Sequence, residues 1–403
     1  MNVFEKGCLG NLEIKNRIIR SATYEGMCSE EGTLEKSYLD LYKDLSMNNI
    51  GAIITGFTAV SKEGRALQPR QAILDNKHKI EYYKEMIDCA RKNNTKIFIQ
   101  LVHTGRQTIS SITENAVVGV SRKKSLYFCE RPRPLFTKEI YMIIEDFVKS
   151  ALYAKEAGFD GVQLHCAHGY LIHQFIIKSI NDRIDEFGID CKSGIGTRFL
   201  DLIIDYIRKE CGRDFVILVK ISGSDDYLNK FSREEFKNLI KFLDKKNIGG
   251  IEISYGTMDY PLNIFRGNIN LKVILKYNYI LKKRDIISSI NSLYKDIPRY
   301  VLIYLKTKKF TMLYNIDFAK IAKSITDIPI ISVGGFRRGE DILNAVENNW
   351  CDFVSLSRPL ICESDFVNKL KENKKYKSKC INCNMCVYMC ETNNKLRCYR
   401  KII

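Results

Sequence analysis

Proline is scarce. Seven occur in 403 residues, and with 45% of the chain apolar this is the balance of a soluble globular protein. The opening residues Met1-Asn2-Val3-Phe4-Glu5-Lys6-Gly7-Cys8 lack the apolar stretch of a secretory signal. No uninterrupted apolar run is long enough to cross a bilayer either. A membrane or exported protein is thereby set aside, and a cytoplasmic one is expected. Nor does a glycine-rich nucleotide turn follow the first apolar run, where Ile19-Arg20-Ser21-Ala22-Thr23 stands instead. That absence disfavours an open dinucleotide-binding sheet.

What is plentiful is positive charge, +17 in all. Such an excess suits a nucleic acid or another anionic partner. The lysines are dispersed, however, with denser patches at Lys272 to Lys309 and at Lys369 to Lys379, and the chain is rich in Asn and Ile. No RNA-binding motif accompanies them, so compositional bias accounts for the charge and a nucleic-acid partner is not expected. Fourteen cysteines are present, and in a reducing compartment they do not imply a disulfide framework. Nine are scattered between Cys8 and Cys362, while five crowd between Cys380 and Cys398.

Short β-branched runs alternate with amphipathic stretches. Strands are expected at Ile18–Ser21, Ala52–Thr55, Lys96–Leu101, Gly161–His165, Val216–Lys220, Gly250–Ser254, Ile330–Val333 and Phe353–Leu356. Helical periodicity fills the intervals, as at Lys36–Asn48, Ile140–Ala157 and Arg233–Lys246. Eight such repeats point to an α/β fold, a closed (β/α)8 TIM barrel over residues 1–366. Residues 367–403 form a Lys- and Cys-rich extension. Two long insertions, Thr104 to Thr137 and Thr257 to Thr311, overhang the mouth, and their aromatics Tyr127, Phe128, Tyr255, Tyr260 and Phe265 either shape a pocket or pack the loops.

In a barrel all strand ends face one mouth, and the chemistry collects there. The fourth strand ends Leu164-His165-Cys166-Ala167-His168-Gly169-Tyr170, gathering two imidazoles and a phenol. Imidazole N–H groups grip a carbonyl or nitro oxygen, and a phenol supplies a proton. The polar turn Asn181 to Gly188 belongs to the same unit. Strands seven and eight end in Gly334-Gly335-Phe336-Arg337 and Ser357-Arg358-Pro359. Glycines that bare backbone amides, helix starts and arginines at this place favour a bound phosphate.

With these motifs in place the chain resembles the old yellow enzyme family of FMN-dependent NADH:flavin oxidoreductases, from Phe4 to about Asp365. The markers are Leu12-Glu13-Ile14-Lys15-Asn16-Arg17-Ile18, the run Ile99-Gln100-Leu101-Val102-His103-Thr104-Gly105-Arg106-Gln107, His165-x2-His168-Gly169-Tyr170, Asn181-x-Arg183-x-Asp185-Glu186-Phe187-Gly188, Gly334-Gly335 and Ser357-Arg358-Pro359-Leu360. The resemblance implies FMN at the mouth. Its phosphate would lie on Gly334, Gly335, Ser357 and Arg358, Gln100 on the isoalloxazine edge, and main-chain groups of Ser21, Ala22, Thr23 and Phe57 against the ring. Lys220 stands where the family usually has the arginine that stabilises reduced flavin. His165 and His168 would hold the oxygen of an activated alkene, Tyr170 would protonate it, and NAD(P)H would supply electrons. Tyr24 departs from the Thr or Cys common in the family.

The tail Cys380-x2-Cys383-x2-Cys386-x11-Cys398, with Cys390 spare, suits an iron–sulfur cluster or zinc. The resemblance implies a [4Fe-4S] cluster, since the branch like 2,4-dienoyl-CoA reductase and trimethylamine dehydrogenase carries one just after the barrel. That branch continues into an FAD/NAD(P)H domain whose GxGxxG is not found before Ile403, so a separate protein is the expected electron partner of any cluster. The other partners expected are a small-molecule substrate and a second copy of the chain. Two further functions fit less well: a tRNA dihydrouridine synthase-like flavoenzyme, and an electron-transfer subunit built on the cysteine tail.

Overall fold

Short strands buried along nearly their whole length have no wet face, so each needs cover on both sides. The computed structural model describes residues 1–66, 70–268, 301–390, 392 and 394–402. Its barrel strands are β1 (Ile18–Arg20), β2 (Ala52–Ile54), β3 (Lys96–Val102), β4 (Gly161–Cys166), β5 (Val216–Ser222), β6 (Gly250–Ser254), β7 (Ile330–Val333) and β8 (Phe353–Leu356). Each pairs in parallel with the next, and Val354 of β8 pairs with Ile18 of β1 to close the ring. Apart from shorter turns of helix, the helices are α1 (Lys36–Met47), α2 (Glu81–Lys92), α3 (Thr137–Ala157), α4 (Arg198–Cys211), α5 (Arg233–Lys245), α6 (Ile316–Lys323), α7 (Gly339–Glu347) and α8 (Phe366–Glu372). This is the (β/α)8 barrel that the alternation of the sequence implies, with strands differing only at their ends.

Local sequence explains the helices. Phe199, Ile203, Ile207 and Cys211 recur every fourth residue of α4 and are all buried, giving the apolar stripe that docks on the strands. At the start of α5 the Ser232 hydroxyl accepts the Glu235 amide (3.1 Å), and the Glu235 carboxylate accepts the Ser232 amide (2.7 Å). This reciprocal cap satisfies two helix-end donors, and removing the serine hydroxyl costs about 1 kcal/mol.

The barrel interior changes character along its axis, and that change positions the site. At the N-terminal end the hairpin Gly7–Leu9/Leu12–Ile14 plugs the ring. Leu9 and Ile14 pack there with Ile19, Phe98, Leu218 and Phe353 in one buried cluster. Two residues further along the same strands stand Ser21, Gln100, Lys220 and Ser355, since inward-facing positions recur every second residue. With Gln163 and Glu252 they form a buried polar layer between the plug and the mouth.

The sequence boundary drawn after residue 366 falls inside α8, whose Phe366, Val367 and Leu370 are fully buried. Beyond it the short helix Met385–Cys390 packs back, and Cys386, Cys390 and Leu396 join the main apolar cluster. In the insertions, Tyr127, Phe128 and Tyr260 pack with Ile109, Ile112 and Ile303 in a separate cluster, and so serve the loops. Residues 269–300, with Lys272 and its neighbours, lie outside the described residues. Among the described residues no helix is long and apolar enough to cross a membrane.

Candidate active site

Strand β4 delivers His165, and the chain then reverses within a few residues. His168 (φ 62°) and Gly169 (φ 76°) both adopt the left-handed conformation. A Cβ at Gly169 would lie 3.0 Å from Gln107 Nε2 and 3.3 Å from Thr257 Cβ, so glycine serves both the turn and the close approach. The reversal brings three rings together: His165 and His168 centroids are 4.9 Å apart, and His165 and Tyr170 4.8 Å. Phe57 flanks them, 5.7 Å from Tyr170.

All three are buried, and burial decides their charge. It depresses both imidazoles well below their ordinary pKa, and the nearby Lys220 charge adds to the effect. It also pushes the Tyr170 phenol up, so the phenol keeps its proton. A backbone amide then fixes which nitrogen of His165 donates. His165 Nδ1 accepts the Ala167 amide (3.4 Å), leaving the proton on Nε2. Ser254 Oγ lies 2.8 Å from His168 Nε2 and has no other partner among the described residues. A Ser254 hydroxyl that donates to Nε2 puts the His168 proton on Nδ1, and one that accepts from it leaves the proton on Nε2. Two neutral N–H donors and one phenol O–H result.

Beneath them lies the polar layer. The Glu252 carboxylate accepts from Ser355 Oγ (2.6 Å), Ser21 Oγ (2.7 Å) and Gln163 Nε2 (3.0 Å), and Lys220 Nζ stands 3.4 Å away. Burial would raise this carboxyl, but Lys220 and the three donors bring it below the usual carboxylate range. A carboxylate only accepts, so Gln163 must turn its Nε2 to Glu252 and its oxygen to Gln100 Nε2 (2.6 Å). Gln100 is left with its own carbonyl oxygen, which receives no hydrogen bond from the described residues.

At the ends of β7 and β8 the site becomes cationic. Gly334 has φ 123°, and a Cβ there would sit 2.6 Å from the Tyr314 ring, so only glycine fits. Arg337 donates Nε to Asn382 Oδ1 (2.8 Å) and Nη1 to the Phe336 carbonyl (2.6 Å), while its buried Nη2 lacks a partner among the described residues. Arg358 donates Nη1 to Asn384 Oδ1 (2.6 Å). Neither guanidinium meets a carboxylate among the described residues. Burial, together with the Arg358 charge beside it, lowers Arg337 to about 10. Two buried like charges without a counter-ion are costly, and an anion between them relieves that cost.

One open-mouthed cavity joins these parts, enclosing about 1310 Å³ with its mouth included. It is lined by Ser21, Ala22, Thr23, Phe57, Gln100, His165, His168, Tyr170, Lys220, Gly334, Ser357 and Arg358, which the sequence singles out. Gly335 does not line it; its backbone lies against Thr311 and Leu313. Phe265 does line it, and Tyr24 stands at its wall, while Tyr255 bonds Asp226 instead. The polar turn serves structure: Asn181 Nδ2 donates to the Phe175 and Phe187 carbonyls (both 2.8 Å), and Arg183 pairs with Asp185. Sequence reasoning missed Glu252 and Gln163 as site residues, while Arg337 stands at the strand end where it expected arginine charge for a phosphate. The one available signal for Glu252 was a lone charge inside the apolar run Gly250-Ile251-Glu252-Ile253-Ser254.

Cys380, Cys383, Cys386 and Cys398 line a second, smaller cavity, together with Cys362 and Arg358. Among the described residues no three potential ligands converge closely enough to hold a metal ion. Cys398 Sγ lies instead 3.7 Å from Cys362 Sγ. The donor chemistry suits iron–sulfur or zinc, but the side chains as placed do not form its coordination shell. Arg358 and Cys386 line both cavities, which therefore abut.

Residues 2–282 match the NADH:flavin oxidoreductase / NADH oxidase family. The chain belongs to that family. It is 28% identical to a NADH oxidase of Thermoanaerobacter brockii over 387 residues, covering 95% of this chain and 53% of that protein. It is 30% identical to a cinnamate reductase of Clostridium sporogenes over 386 residues, covering 93% and 53% respectively. The chain thus spans about half the length of these curated relatives. Among solved structures, an old yellow enzyme homologue from Zymomonas mobilis superposes with TM-score 0.71 at 20% identity, over 95% of this chain and 96% of that one. A 2-naphthoyl-CoA reductase complex superposes with TM-score 0.81 at 19% identity, over 98% and 56%. Both likenesses establish the fold.

The cofactor of this NADH:flavin oxidoreductase family fits the residues present. The unpartnered Arg337 Nη2, the bare backbone at Gly334 and the uncompensated Arg337–Arg358 pair suit a phosphate. The free Gln100 oxygen and the Lys220 ammonium suit the donor and acceptor edge of an isoalloxazine.

Proposed function

We propose that the chain is an FMN-dependent oxidoreductase that reduces an activated carbon–carbon double bond of the enone or enoate type with electrons from NAD(P)H. The observation that carries this reading is the triangle of His165, His168 and Tyr170 facing a cavity floored by Gln100 and Lys220. FMN, when bound, supplies the hydride. Gly334, Ser357, Arg337 and Arg358 would hold its phosphate end, with Gly335 adjoining, and Ser21, Ala22, Thr23 and Phe57 would flank its ring.

The protein's own part is binding and proton delivery. His165 Nε2–H and His168 Nδ1–H grip the substrate carbonyl oxygen, drawing electrons from the conjugated double bond. Because both imidazoles stay neutral, they donate hydrogen bonds without competing to give up a proton. Tyr170, held protonated by burial, delivers its proton to the carbon next to the carbonyl. Two of the relatives, a cinnamate reductase and a putative 12-oxophytodienoate reductase, support this substrate class. The family match favours it over a dihydrouridine synthase-like activity. We also propose that Cys380, Cys383, Cys386 and Cys398 hold a [4Fe-4S] cluster serving a protein electron partner, on the strength of their shared cavity.

The test is anaerobic. Protein reduced with NADH or NADPH is mixed with cinnamate or cyclohexenone, and the flavin absorbance is followed. Reoxidation with formation of the saturated product supports the reading; a flavin that stays reduced with every enone and enoate tried overturns it.

A further inference from the structure

Glu252 is fully buried and does not line the cavity, yet it binds the residues that do. His165, Lys220 and Glu252 are register neighbours on three consecutive strands, β4, β5 and β6. Lys220 lines the cavity and Glu252 lies behind it, so the pair is a dipole with its positive end toward the ligand. An unpaired buried ammonium would be costly, and the carboxylate makes Lys220 tenable there. The same carboxylate weakens the field that Lys220 sends into the cavity, because opposite charges at 3.4 Å largely cancel at longer range. Ser21 and Ser355 moderate it by donating to Oε1. Gln163 relays the carboxylate's demand for a donor to Gln100 and so fixes which atom Gln100 turns to the cavity.

We infer that Glu252 is a positioning residue that sets the redox potential of the flavin, by balancing Lys220 and by orienting Gln100. The inference rests on the reading of this cavity as the FMN site. A reduced flavin carries more negative charge than an oxidised one. A buried carboxylate behind the floor therefore holds the potential down, and each group that neutralises that carboxylate raises it.

The experiment measures flavin midpoint potentials by dye equilibration on holoenzyme. Glu252→Gln keeps the shape and removes the charge; it shifts the reduction equilibrium at least tenfold toward reduced flavin, about 30 mV more positive for a two-electron couple. Ser355→Ala deletes one hydroxyl and leaves the carboxylate less neutralised, so its potential moves the opposite way, by a few-fold. Opposite signs distinguish electrostatic control from general damage, and the mild serine variant tests the idea even where Glu252→Gln fails to fold. Flavin bound with both potentials unmoved, or a negative shift in Glu252→Gln, overturns the inference alone. Wild-type protein that binds no FMN overturns the cavity reading beneath it, and that result is seen before any variant is measured.

Discussion

The barrel mouth and the cysteine tail are both sites of clustered chemistry, and they are built differently. At the mouth the side chains spring from strand ends whose register the closed ring fixes, and their hydrogen bonds are already made: Glu252 with Ser21, Ser355 and Gln163, His168 with Ser254. In the tail Cys380, Cys383 and Cys398 lie on irregular chain and Cys386 on the short helix Met385–Cys390, with Asn382 (φ 58°) and Asn384 (φ 57°) left-handed among them, and the thiols face a common cavity without converging. A site on rigid strands is organised before its ligand arrives; a site on such a tail leaves its final geometry to the ligand. The two regions nevertheless touch, because Asn382 and Asn384 hold Arg337 and Arg358.

Four substitutions sharpen or break this contrast. The largest effect belongs to the tail. Cys383→Ser abolishes the broad visible absorbance of an iron–sulfur cluster and its iron while leaving flavin content unchanged; retained iron, or flavin lost with it, contradicts the division. At the mouth, Tyr170→Phe slows alkene reduction by about 10²-fold or more. Flavin reduction by NAD(P)H stays near wild type in stopped-flow traces, and equal losses in both half-reactions would remove Tyr170 as the proton donor. Ser254→Ala leaves His168 free to carry its proton on either nitrogen. Loss of that orientation, about 1 kcal/mol for one hydrogen bond, weakens enone binding several-fold without altering flavin affinity, as equilibrium titration checks.

The smallest effect concerns Glu25, buried beneath the cavity wall, where its carboxyl accepts the Tyr42 hydroxyl and the Gly56 amide (2.7 Å). Burial raises it from 4.5 to about 7 despite those hydrogen bonds. A carboxyl raised on folding binds its proton more tightly in the folded state. Its contribution to stability is therefore complete below pH 4.5 and lost as the pH climbs through about 7. Glu25→Gln flattens that fall in denaturant unfolding measured across the interval. An unchanged slope would place the titration elsewhere.

Much of this was legible in the sequence, for a physical reason. Strand runs such as Val162-Gln163-Leu164-His165 carry their own period, and a barrel converts strand ends into one mouth, so His165, Lys220 and Ser357 could be placed together from spacing alone. Residues whose role depends on cross-strand register were not legible. Gln163 and Glu252 act through partners on other strands, and no local pattern marks such a pairing; Arg337 was legible as charge for a phosphate, but its bond to Asn382 in the tail was not. The aromatics of the insertions were undecidable for the same reason: Tyr127 and Phe265 look alike in sequence, yet one packs a loop and the other faces the cavity.

The central claim is that this mouth binds FMN through its arginines at one end and its polar floor at the other. Equilibrium titration of flavin-free protein with FMN and with riboflavin, followed by flavin fluorescence, tests it most directly. The expected result is one FMN per chain, riboflavin bound at least tenfold more weakly, and that difference largely erased by Arg337→Ala. Failure to bind FMN, or equal affinity for both flavins in the wild-type protein, would contradict it.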